Sequence, residues 1–183
     1  RLCARIDTDG CITNEAAEEC ENALLPMKDA AKSLTIHFTG HAHIDMNWMW
    51  GIQETASATV DTMRTILRFM REYPQFTFSQ SQASVYKIIE EYEPEMLPEI
   101  KERIKEGRWE VSASTWVEND KNMSDFESQV RQILYTKEYL SRLLDIDPDK
   151  LELDFEPDTF GHSENVPEII SAGGIKYYYH CRG

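Results

Sequence analysis

Apolar positions in this chain follow two periods that take turns. Leu34, Ile36 and Phe38 alternate with Thr35, His37 and Thr39, and Gly40 closes the run. A period of two is that of a half-buried strand, so residues 34–40 are predicted as the first strand. Val60, Met63, Leu67 and Met70 then recur at three- and four-residue steps, and Pro74 follows. That spacing predicts a helix over 51–73. The alternation continues along the chain. Strands are expected at 76–78, 109–113, 151–155 and 175–179. Helices are expected at 84–93, 95–106, 124–144 and 165–172. Pro94 and Pro98 break the second of these regions, and Gly107 and the Gly173-Gly174 pair stop helices. Ser124-Asp125-Phe126-Glu127 has the form of a capping box opening the long helix. Ahead of all this, residues 1–33 are acidic and alanine-rich. They read as a lead-in, with a helix over 14–32.

Five strands separated by helices imply a parallel sheet with right-handed crossovers, open or part of a barrel. A closed barrel needs more strands, and the chain ends directly after the fifth, so the barrel is expected to be incomplete here. No internal repeat or low-complexity linker interrupts residues 34–183. In such folds chemistry gathers at the carboxyl ends of the strands. Three polar and aromatic segments fall there: 41–48, 116–120 and 156–162.

Composition narrows the partners. Nineteen basic against 33 acidic residues leave a formal charge of −14, which argues against nucleic acid and anionic membranes, since both need basic patches. No apolar run approaches the roughly 18 residues of a membrane span. With no signal-like stretch at the start, the acidic chain is expected in the cytoplasm. Cys3, Cys11, Cys20 and Cys181 form no C-x-x-C pair, which speaks against a thiolate zinc site and for reduced thiols.

The first polar segment is His41-Ala42-His43-Ile44-Asp45-Met46-Asn47-Trp48. His43 and Asp45 stand two apart, so in extended backbone they project to one side and reach one cation together. Nitrogen plus oxygen ligation suits zinc and its neighbours. His41 is either another ligand or a partner hydrogen-bonded behind one. Asp158, between Pro157 and Thr159-Phe160-Gly161, either completes a metal site and serves as a nucleophile, or only caps a turn. His162 either donates to a ligand or braces that turn. Trp48, Trp116 and Phe160 offer faces on which sugars stack, and Trp50 reads as core. Nucleophile elbows, P-loops and dinucleotide fingerprints are absent.

These segments resemble the N-terminal catalytic domain of family 38 glycoside hydrolases, the α-mannosidases, over roughly residues 34–183. The family's H-x-H-x-D-x-x-W stands here as His41 to Trp48, its W-V-x-x-D as Trp116-Val117-Glu118-Asn119-Asp120, and its D-x-F-G-H as Asp158-Thr159-Phe160-Gly161-His162. The resemblance implies an α/β fold whose parallel β/α repeats form part of a seven-stranded-type barrel. It implies that His43, Asp45 and Asp158 bind one zinc ion and that Asp158 is also the nucleophile. Trp48, Phe160, Trp116 and Arg182 would contact substrate or neighbour the nucleophile, with His41 and His162 behind the ligands. The expected reaction is retaining hydrolysis of α-mannosidic linkages in oligosaccharides or glycans. A second histidine ligand and the general acid come from later in the family's chain. The oligomeric state stays open, a homo-oligomer included.

Two other readings compete. In a metal-dependent amidohydrolase or deacetylase, His41 and His43 would both hold a hydroxide-generating metal, with His162 or His180 as further ligands. In a non-catalytic carbohydrate-binding fragment, the cleft would remain without its chemistry.

Overall fold

The computed structural model describes residues 10–182. The chain divides into two compact units between Phe38 and Thr39. In the first unit, α1 (Asn14–Leu24) is capped by Thr13, whose hydroxyl accepts from the Ala16 amide at 3.2 Å. The helix expected over 14–32 breaks at a 3-10 turn, Leu25–Met27, because Pro26 has no amide hydrogen to continue the ladder. A short α2 (Lys28–Lys32) follows.

The second unit runs β1 (Gly40–His41), α3 (Ile52–Glu72), β2 (Phe78–Gln80), α4 (Ala83–Tyr92), α5 (Leu97–Lys105), β3 (Trp109–Val111), α6 (Phe126–Leu144), β4 (Leu153–Glu156), α7 (Val166–Ala172) and β5 (Tyr177–His180). All pairings are parallel. β1, β2 and β3 form one sheet in that order, with Gly40 opposite Phe78 and Phe78 opposite Trp109. β4 and β5 form a second, with Leu153 opposite Tyr177. Mixed α/β architecture with parallel strands is as the alternating periods predict.

Strand bounds differ from the sequence reading. The first strand is not residues 34–40 but Gly40–His41, and Leu34, Ile36 and Phe38 are exposed. The second strand starts only at Phe78 and runs to Gln80, because Phe76 is still in the turn that closes α3, its amide donating to the Tyr73 carbonyl at 3.0 Å. The α6 cap is Asp125, one residue beyond the Ser124 expected, and its carboxylate accepts from the Ser128 amide at 2.7 Å. Gly107 stops α5 as expected, at φ +72°, a left-handed conformation that side chains with a Cβ resist.

Met63, Leu67 and Met70 of α3, Tyr86 and Ile89 of α4, Ile100 of α5 and Leu140 and Leu144 of α6 pack with Phe78 and Trp109 of the first sheet into one core. The Trp109 indole is satisfied inside it, donating to the Tyr86 hydroxyl at 3.0 Å. A smaller cluster joins Ile133 to Val166, Ile169, Ile170 and Ile175. None of the described helices is long and apolar enough to cross a membrane.

No ladder joins β3 to β4. Between them lies a groove of about 260 Å³ lined by Val111, Leu151, Leu153 and Tyr177 among others. Side chains join the two sheets instead, at their carboxyl ends. Ser114 Oγ donates to Asp154 Oδ1 at 2.9 Å and Thr115 Oγ1 to Glu156 Oε1 at 3.3 Å. Lys121 Nζ reaches Asp154 Oδ2 at 3.0 Å and Glu156 Oε1 at 2.7 Å, all three side chains buried.

Met63 is fully buried at the centre of the α3 face. Met63→Ala is therefore expected to lower unfolding stability by about 2–5 kcal/mol. Urea denaturation checks this, and a loss below about 0.5 kcal/mol, the scale of a surface substitution, would show the face to be poorly packed.

Candidate active site

Four loops deliver the polar groups, each just past the carboxyl end of a strand. His43 and Asp45 follow β1, Glu118 follows β3, Asp158 lies two residues beyond β4, and Arg182 two residues beyond β5. His43 Nε2 stands 3.0 Å from Asp45 Oδ1 and 3.7 Å from Asp158 Oδ2, and one ligand atom from each of the three falls within 4.8 Å of the others. Ligand atoms around a tetrahedral zinc with bonds of 2.0–2.1 Å lie about 3.3 Å apart, so the observed separations bracket that spacing. Nitrogen and carboxylate oxygens are also the donor types zinc takes. The residues present fit such an ion, as three of its ligands.

The other edge of the His43 ring is occupied. Nδ1 lies 2.7 Å from Glu118 Oε2. Glu118 Oε1 accepts from the Asp158 amide and, at 3.4 Å, from the Thr159 hydroxyl. Arg182 Nη1 donates to the Asp158 carbonyl at 2.7 Å and contacts Asp158 Oδ1. The same guanidinium sits 4.1 Å over the centre of the Phe160 ring. Asp120 Oδ1 accepts from the Phe160 amide at 2.8 Å. Behind this turn, Thr159 Oγ1 donates to Glu156 Oε2 at 2.7 Å, tying it to the buried Lys121 cluster.

Charges follow from these contacts. The hydrogen bond to Glu118 raises the His43 pKa, partial burial opposes it, and Asp45 adds to the rise, for a result of about 9. Burial pushes Glu156 up to about 8 against the pull of Lys121, and neighbouring Asp154 adds to the rise. Burial disfavours the Lys121 ammonium, but Asp154 and Glu156 outweigh it and hold its pKa above the ordinary lysine value. At neutral pH one cation and one carboxylate balance, with the shared proton on the other carboxyl.

His41 is not in the cluster. Its Nδ1 donates to the Ser79 carbonyl at 2.9 Å, its ring packs 4.5 Å from that of Phe155, and burial lowers its pKa. It fastens β1 to β2. His162 braces the second loop through the Tyr178 hydroxyl and the Arg182 carbonyl, the latter at 2.7 Å. Trp48 and Phe160 are 66% and 70% exposed, one face of Phe160 lying under Arg182. Trp50 is not core: it is 38% exposed, and its indole donates to Thr55 Oγ1 at 2.9 Å, which in turn donates to the Asp45 carbonyl at 3.0 Å. Trp116 packs against Tyr139 of α6, ring centres 5.0 Å apart, in a groove of about 570 Å³ that includes none of His43, Asp45 and Asp158. Cys11, Cys20 and Cys181 are free thiols, and Cys3 lies outside the described residues.

Sequence reasoning passed over Glu118 and Lys121. Both sit in or beside the 116–120 segment, where a lone charged residue in an acidic chain reads as surface.

Residues 33–183 match the family described as glycosyl hydrolases family 38, N-terminal domain. The chain belongs to glycosyl hydrolase family 38. Alpha-mannosidase G of Dictyostelium discoideum is 37% identical to it over 139 residues, 76% of this chain and 12% of that protein. Alpha-mannosidase 2C1 of Homo sapiens is 34% identical over 145 residues, 79% of this chain and 14% of that protein. The chain thus spans 12–14% of the length of these two curated relatives. A crystal structure of an alpha-mannosidase from Enterococcus faecalis V583 superposes with a TM-score of 0.68 over 78% of this chain and 16% of that one, at 19% identity, a likeness of fold. Within family 38, then, the three ordered segments of the sequence are the loops that meet here.

Two expectations follow. In the metal-free chain, histidine NMR should show His43 keeping its proton until pH about 9. Because the folded pKa is raised, its contribution to stability is complete below about 6.5, the unfolded value, and lost as pH climbs through 9. Titration near 6.5 would mean the Glu118 contact does not form. Lys121→Met should cost about 3–5 kcal/mol, because it strands two buried carboxyls. Glu156, already raised by burial, would lose the pull of Lys121 that lowers it, so the loss should shrink in acid and grow as pH rises, which denaturation at pH 4 and pH 8 resolves.

Proposed function

We propose that this chain carries the nucleophile and three of the zinc ligands of a retaining α-mannosidase that cleaves mannosidic linkages in oligosaccharides or glycans. The observation that supports it most is the meeting of His43, Asp45 and Asp158 within 4.8 Å, from loops after β1 and β4. The similarity to named alpha-mannosidases supplies the substrate class. The two sheets would be the first strands of the seven-stranded-type barrel, and residues 34–183 the N-terminal part of the catalytic domain.

In this reading Asp158 attacks the anomeric carbon as the glycosidic bond breaks, the leaving oxygen taking a proton from the general acid, and a covalent mannosyl ester forms on the Asp158 carboxylate. Water then releases the sugar with net retention. Zinc bound by the three residues would supply positive charge beside the sugar hydroxyls and keep the nucleophile ionised. Arg182 orients Asp158 through its carbonyl and Oδ1, leaving Oδ2 on the His43 side. Trp48, exposed, and Phe160, on the face away from Arg182, offer ring surface for the apolar side of mannose. The second histidine ligand and the general acid would come from later parts of the full-length enzyme. The amidohydrolase reading needs His41 as a ligand, and His41 stands outside the cluster, its Nε2 beside Ser81 Oγ at 3.4 Å and its ring against Phe155.

Asp158→Asn in the full-length enzyme is expected to reduce hydrolysis of an aryl α-mannoside by about three orders of magnitude or more, with an unchanged circular dichroism spectrum. A 2-deoxy-2-fluoro or 5-fluoro mannosyl fluoride should leave a glycosyl ester on Asp158, seen by peptide mass spectrometry. Near-normal turnover by the variant would sink the assignment.

A further inference from the structure

The Glu118 carboxylate links two loops that otherwise meet only at the ligand cluster, and it is 5% exposed. One oxygen faces His43 Nδ1 at 2.7 Å; the other takes the Asp158 backbone amide and the Thr159 hydroxyl. Its own backbone amide is held in turn, donating to Gln82 Oε1 at 3.0 Å, and Gln82 Nε2 donates to the Ile44 carbonyl at 2.9 Å, inside the His43–Asp45 loop. Gln82 adopts a left-handed φ of 69°, which costs strain in a non-glycine residue and aims that side chain between the two loops.

We propose that Glu118 is a positioning residue that sets the metal ligand and the nucleophile together. With Oε2 at ion-pair distance, 2.7 Å, from His43 Nδ1, it holds that edge of the ring so that Nε2 is the nitrogen turned toward Asp45 and Asp158, the arrangement by which a carboxylate behind a histidine orients a metal site. By accepting from the Asp158 amide with its other oxygen, it sets the height of the nucleophile's turn above the same point. An ionised carboxylate suits this place because every neighbouring group is a donor. Glutamine cannot replace it without loss: its amide nitrogen would face either the imidazole N–H or the Asp158 N–H. Aspartate is shorter by one methylene and cannot span both.

The proposal rests on the α-mannosidase reading and is tested in the full-length enzyme. Glu118→Gln and Glu118→Asp are compared with wild type in zinc affinity, by competition with a chromogenic chelator. Steady-state kinetics on an aryl α-mannoside are then measured at saturating zinc. Zinc should bind about 10- to 100-fold more weakly in both variants. At saturating zinc, kcat should remain about 10- to 100-fold down while KM moves little, because the nucleophile is misplaced, and thermal unfolding should stay close to wild type. A merely structural glutamate would shift the melting temperature and leave zinc affinity and kcat in the folded fraction untouched, overturning the proposal. Full recovery of kcat by excess zinc would overturn the link to Asp158. If one variant fails to fold, the other carries the same readouts. If neither folds, Thr159→Val with Asp158 amide hydrogen exchange reads the same link: wild-type exchange and kcat would overturn it. Wild-type turnover by Asp158→Asn would instead sink the functional reading and leave the zinc comparison to judge Glu118 alone.

Discussion

The two sheets of this domain hang on one buried cation. β3 and β4 share no ladder, so the backbone does not connect the half that carries His43 to the half that carries Asp158. Lys121, with Ser114 and Thr115, makes that connection by reaching Asp154 and Glu156. Such a joint is demanding. Removing an ammonium and two carboxyls from water costs several kcal/mol per ion, and only good geometry with every remaining lone pair occupied recovers it. Here the recovery is partial: Asp154 Oδ2 has the Lys121 charge at 3.0 Å but no aligned hydrogen bond, while Glu156 is better served. Glu156 accepts from Thr115 and Thr159 besides Lys121, and its raised pKa lets it keep the proton that would otherwise leave a second buried negative charge.

That arrangement ties stability to chemistry through a single strand. β4 is inside out by the usual standard: Asp154 and Glu156 are buried while Leu153 and Phe155 are half-buried. Asp154, Glu156 and Asp158 fall at every second position, so all three carboxylates lie on one side as the strand passes into its loop. The first two are neutralised by Lys121 and hydroxyls. The third, beyond the strand, meets Arg182, His43 and Asp45 instead. A short run of alternating acids thus divides into a buried part and a loop part, according to which cation each one meets.

The elements were legible where local periodicity decides them. Val60, Met63, Leu67 and Met70 predict α3 and all four are buried. Alternation over Leu34, Ile36 and Phe38 does not mark a half-buried strand, since all three are exposed. The meeting of His43, Asp45 and Asp158 was legible because they sit in segments with chemical spacing. Glu118 and Lys121 were not, because a lone charged residue in an acidic, polar chain looks like surface. Their roles come from what is buried around them, which no spacing announces. Trp50 shows the reverse case: a tryptophan expected in the core uses its indole N–H to pin Thr55 and so the Asp45 backbone.

His41 separates the two chemistries that an H-x-H segment permits. In extended backbone both imidazoles point the same way, and sequence alone cannot say whether one metal takes both. The fold decides by register. Because Gly40 pairs with Phe78, His41 falls opposite Ser79, still within the ladder, and its ring is drawn to the Ser79 carbonyl and against Phe155. His43 lies two residues past the last ladder pair, where the chain has left the sheet and the ring is free to turn toward Glu118 on one side and Asp45 and Asp158 on the other. A register shift of two residues would exchange their roles and bring His41 to the carboxylates. The identity of the nitrogen that meets the carboxylate cluster is therefore set by strand pairing, before any metal chemistry enters.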